Sequence, residues 1–97
     1  MVNKEVARTI MGQLGNKTLK MLGAYQFVAL KNGVKFRIRG SRKINLIKIT
    51  LNPMDTYDIE FWRIRGTSFK KVSEVKGIYF DQLHQVIEQE TGLYTSL

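Results

Sequence analysis

Cysteine is absent from this 97-residue chain, histidine, tryptophan and proline occur once each, and eight acidic side chains face sixteen basic ones. Without cysteine there are no disulfides, thiolate nucleophiles or cysteine-based zinc sites, so folding rests on packing and hydrogen bonds. A single His84 excludes a multi-histidine metal site. Its place after Leu83 in a helical pattern puts it at the boundary or exposed side of a helix, where a structural or solvent role outweighs acid/base work. Ser41, Ser68, Ser73 and Ser96 belong to no nucleophile motif, and no glycine-rich phosphate loop or dinucleotide fingerprint is present. No apolar run approaches the roughly 18 to 20 residues that span a bilayer, and Lys4, Glu5 and Arg8 interrupt the stretch where a signal peptide needs an apolar core. These absences leave a small non-enzymatic protein, and the lack of cysteine fits a cytoplasmic setting.

What is there is a globular composition with a large charge surplus. Hydrophobic residues make up 43% of the chain, enough for one core, and the length suits one domain spanning 1–97. The net charge of +8 exceeds what solubility requires and attracts polyanions over a Debye length of about 10 Å at 0.1 M salt.

Hydropathy periodicity divides the chain into three parts. From Asn3 to Gln13, Val6, Ala7, Ile10, Met11 and Leu14 recur at helical spacing, with Asn3 as candidate N-cap. A second short helical segment between Asn16 and Gly23 carries Leu19, Met21 and Leu22. The period then falls to two. Strands are expected at Tyr25–Leu30, Val34–Arg39, Ile44–Leu51, Thr56–Arg65 and Phe69–Lys76, the last suiting a sheet edge because of Lys70 and Lys71. Asn32-Gly33 predicts a type I′ hairpin turn. After Gly77 the helical period returns over Tyr79–Glu90, with Tyr79, Leu83, Val86 and Ile87 on one face, and the apolar tail from Leu93 to Leu97 is expected to pack back. The expected fold is α+β: an antiparallel four- to five-stranded meander with one or two N-terminal helices and a C-terminal helix, or alternatively a small partly open β-barrel with helical covers.

The charge is concentrated in the strands. Residues 35–71 hold Lys35, Arg37, Arg39, Arg42, Lys43, Lys48, Arg63, Arg65, Lys70 and Lys71 against Asp55, Asp58 and Glu60. Arginine forks onto phosphate and lysine supplies a mobile point charge, so this set is the candidate nucleic-acid surface, giving affinity without much sequence choice. Trp62, opposite the Tyr57, Ile59 and Phe61 face and beside Arg63, either stacks a base or packs under a covering element. Tyr25, Tyr79 and Tyr94 read as residues at the edge of the core. Asp58 and Glu60 share a strand face with Asp55 near, but lack a third well-placed metal ligand and serve equally as counter-charges to the arginines. The N-terminal helices are too short and too weakly basic to read a DNA groove.

The segments Lys48-Ile49-Thr50-Leu51-Asn52-Pro53-Met54-Asp55-Thr56-Tyr57-Asp58-Ile59-Glu60-Phe61 and Thr91-Gly92-Leu93-Tyr94-Thr95-Ser96-Leu97, with Gly23-Ala24, resemble small uncharacterised proteins of phage and mobile-element genomes. The resemblance implies an origin rather than a mechanism, and it supplies no catalytic residues to carry over. Trp62-Arg63-Ile64-Arg65 makes the fourth strand unusually basic and aromatic for that group. Two functions follow as expectations: a protein that binds DNA or RNA through phosphate contacts on a cationic sheet face, or an interaction or inhibitor module that docks on an acidic host protein. No cofactor and no membrane partner is expected.

Overall fold

Alternation of apolar and polar residues commits the middle of the chain to a sheet with one buried face. In the computed structural model, which describes residues 4–93, five antiparallel strands run in chain order: β1 (Tyr25–Leu30), β2 (Gly33–Arg37), β3 (Leu46–Leu51), β4 (Tyr57–Arg65) and β5 (Ser68–Ile78). Strands β1 and β5 are the two edges, so the sheet is open and the barrel alternative does not hold. Val34 and Phe36 of β2, Ile47 and Ile49 of β3, and Tyr57, Ile59 and Phe61 of β4 project to one side and are buried. The register stacks them directly, Phe36 opposite Ile47 and Ile47 opposite Phe61.

Helices cover that side. In α1 (Lys4–Leu14), Ala7, Ile10 and Leu14 form a buried stripe at spacings of three and four, packed on β1 and β2. Gly15, at φ 84°, breaks the helix and begins α2 (Asn16–Leu22), which ends in a left-handed Gly23. At the other end of the chain, one 3₁₀ turn over Phe80–Gln82 leads into α3 (Leu83–Thr91), whose Leu83 and Ile87 are buried and which touches α1. Among the described residues no helix is long and apolar enough to cross a membrane.

The order of elements is as expected, and the differences are local. The β1–β2 turn is made by Lys31 and Asn32, because Leu30 pairs with Gly33; neither loop residue has positive φ, so the turn is not type I′. Gly33 is needed for a different reason: a Cβ there would run into the carbonyl oxygen of Ile49 on β3. Tyr79 precedes the final helix and is 62% exposed, so it does not share the Leu83 and Ile87 face. Asn3 and the segment 94–97, including Tyr94, lie outside the described residues, while Leu93 packs against the core.

Burial of Tyr57 pushes its hydroxyl above the ordinary value of 10.0, opposed by a side-chain hydrogen bond with Gln13.

Candidate nucleic-acid interface

Successive rungs of an antiparallel ladder present their side chains to alternate faces, so the register decides which cations can act together. On the face that the helices leave uncovered, one rung runs Lys35, Lys48, Glu60, Glu74 across β2 to β5. The next runs Arg37, Leu46, Trp62, Lys71. Two cations thus lie directly opposite each other at Lys35 and Lys48, with two carboxylates continuing the same row. Lys71 pairs with Glu74 at 3.4 Å. Trp62 is half-buried, and its indole N–H donates to Glu60 Oε1 at 2.9 Å, which fixes the ring.

The other face tells a different story at the end of the β4–β5 hairpin. Arg63 pairs with Lys70, and both project to the same side as Phe61 and Ser73, beyond the part of the sheet that the helices cover. Together with Lys43 and Val72 they line a depression of about 260 Å³. Arg63 Nη1 donates to the carbonyl of Arg42 at 2.8 Å, which aims the guanidinium at the loop and leaves its other donors available. Among the described residues, none of Lys43, Arg63 and Lys70 has a carboxylate at ion-pair distance. Arg65, next on this face by alternation, is exposed.

The loop carrying Arg42 and Lys43 is held from both sides. Arg39 N and Gly40 N both donate to Leu22 O at 3.0 Å, tying its start to the end of α2. The Ser41 hydroxyl accepts from Lys43 N and Ile44 N at 3.3 Å. Asn45 closes the loop: its amide Nδ2 donates to Ile64 O at 2.8 Å and its Oδ1 accepts from Ile64 N at 2.7 Å. A side chain thereby takes the place of a strand residue opposite Ile64 and docks the basic loop beside Arg63.

The eleven candidate residues therefore do not form one face. Lys35, Arg37, Lys48, Trp62 and Lys71 share the uncovered side of the sheet. Lys43, Arg63 and Lys70, with Arg42 supplying a carbonyl and Arg65 adjoining, gather on the opposite side. Arg39 belongs to neither: its guanidinium lies 4.1 Å from the centre of the Tyr25 ring, facing a groove against α2. Arg37 is half-buried, with an Nε that has no hydrogen-bond partner.

Asp58 and Glu88 are engaged. Asp58 Oδ1 accepts from Asn52 Nδ2 and Gly77 N, both at 3.1 Å, which locks the turn before β4 and the end of β5. His84 pairs with Glu88 one turn along α3. No group of three metal-ligating side chains occurs among the described residues.

Two residues escaped the reading of the sequence. Phe69, 64% exposed and directly opposite Ile64, lines a groove of about 350 Å³ on the uncovered face together with Trp62, Leu46, Lys35 and Lys48. Asn45 falls inside the strand expected over Ile44–Leu51, although an amide between Ile44 and Leu46 is out of place in a strand. No family model, curated protein or solved structure matches the chain.

Proposed function

We propose that this protein binds nucleic acid without catalysing a reaction, contacting phosphates through Lys43, Arg63 and Lys70 at the end of the β4–β5 hairpin. The observation that carries this reading is the convergence of three cations in one depression, with no carboxylate among the described residues paired to any of them. Arg63 and Lys70 directly opposite each other repel, at a cost of roughly 0.2–1 kcal/mol for such a cross-strand pair, and a bound phosphate turns that repulsion into attraction. Arg42 and Arg65 extend the positive region for a second phosphate.

Contacts of this kind position a backbone and carry little sequence information. That suits an accessory protein acting on nucleic acid in the cytoplasm, and the resemblance to small phage and mobile-element proteins supports the same setting. Fluorescence anisotropy of labelled single- and double-stranded DNA and RNA, measured with nuclease-treated protein across about 50 to 300 mM salt, tests it. Affinity that falls steeply with salt is the expected result. Absence of binding at the lowest salt contradicts it and turns the cationic end into a docking surface for an acidic protein.

A further inference from the structure

We propose that the groove on the uncovered face seats an unpaired nucleobase between Trp62 and Phe69, so that the protein prefers single strands to duplexes. This rests on the phosphate contacts proposed above and assigns the second half of the ligand. Three consecutive rungs carry the argument: Trp62 opposite Lys71, Arg63 opposite Lys70, and Ile64 opposite Phe69. Because faces alternate from rung to rung, the unpaired cations and the aromatic groove stand back to back on the same two strands.

The groove has the chemistry of a base site. Leu46, Ile64 and Phe69 give it an apolar lining, and the Trp62 ring that also lines it is held by its bond to Glu60. Lys35, Lys48 and Glu60 also line it, and the two ammonium groups suit the π face of a bound base. Phe69 is largely exposed, an arrangement that leaves a hydrophobic ring in water until a planar partner covers it. Strand β5 is the edge of the sheet, so among the described residues no further strand blocks a flexible chain from passing over it from the cationic side to the groove. A duplex keeps its bases stacked inside and can offer only phosphates.

Trp62 is the one tryptophan in the chain, which makes it the reporter. Intrinsic fluorescence is followed while the full-length protein is titrated with an oligothymidylate, then with a mixed-sequence duplex of equal length, and anisotropy of labelled copies gives the affinities. Oligothymidylate is expected to quench Trp62, and the duplex to bind without quenching. Phe69→Ala, an exposed position whose replacement leaves the thermal melt in place, is expected to weaken single-strand binding roughly tenfold and to leave duplex binding unchanged. Unchanged single-strand affinity in F69A, or equal quenching by the duplex, overturns the base site while leaving the phosphate contacts standing. Failure of both probes to bind overturns both.

Discussion

Lys35 with Lys48, and Arg63 with Lys70, are two like-charged pairs set directly across antiparallel ladders, yet their surroundings differ. The first pair continues into Glu60 and Glu74 along its own rung, so the row carries no net charge. The second has Lys43 beside it and, among the described residues, no carboxylate paired to any of the three. Two like-charged pairs therefore give unequal fields. The long-range attraction for a polyanion belongs to the hairpin end, while the lysines of the uncovered face act only on what already lies in the groove.

The largest effect on this contrast is expected from Asn45, which holds the basic loop against β4. Asn45→Ala removes both hydrogen bonds to Ile64 and leaves the backbone groups of that residue without those partners, at a cost of about 2 kcal/mol. Chemical denaturation measures the loss, and binding should weaken in the folded variant because Lys43 is no longer held beside Arg63.

A smaller effect separates function from stability. Lys70→Glu converts the repulsion opposite Arg63 into an ion pair and should raise stability by about 0.5 kcal/mol while lowering nucleic-acid affinity. The same change at Lys48 relieves the repulsion from Lys35 on one side but sets a carboxylate opposite Glu60 on the other, so the two terms offset and stability should stay close to that of the native protein. A thermal melt raised in the Lys70 variant and unmoved in the Lys48 variant would sharpen the comparison; equal shifts would break it.

The smallest effect concerns the core on which both pairs stand. Because burial raises the Tyr57 hydroxyl above 10.0, the unfolded chain gives up that proton first as pH rises. The native state then holds more protons, so the contribution of Tyr57 to stability is complete below pH 10.0 and declines as pH climbs toward the raised folded value. Tyr57→Phe should flatten the alkaline limb of the stability profile.

Much of this architecture was legible in strand periodicity. The buried alternation of Val34 and Phe36, and of Tyr57, Ile59 and Phe61, leaves one register that places these side chains together inside. Alternation also held the clue that Arg63 and Arg65 share parity with Phe61 rather than with Trp62. Lys70 and Lys71 were harder to assign, because the register shifts between the Phe61–Ser73 and Trp62–Lys71 pairs, and such an irregularity has no local sequence mark. The β1–β2 turn was misplaced by one residue because Gly33 was read as a turn glycine, whereas its role is close approach to β3, a tertiary fact. The role of Asn45 depends on a partner 19 positions away, beyond the reach of any periodic pattern.

The contrast between the two cation pairs is tested most directly by the salt dependence of binding in two neutralised variants. Plots of log affinity against log salt are compared for the native protein, Arg63→Gln with Lys70→Gln, and Lys35→Gln with Lys48→Gln, on one single-stranded probe. Loss of two phosphate contacts should make the slope of the Arg63 and Lys70 variant shallower by about 1.4 on this single-stranded probe, while the Lys35 and Lys48 variant runs nearly parallel to the native protein. A slope unchanged in the first variant and flattened in the second would contradict the account and return the phosphate contacts to the uncovered face.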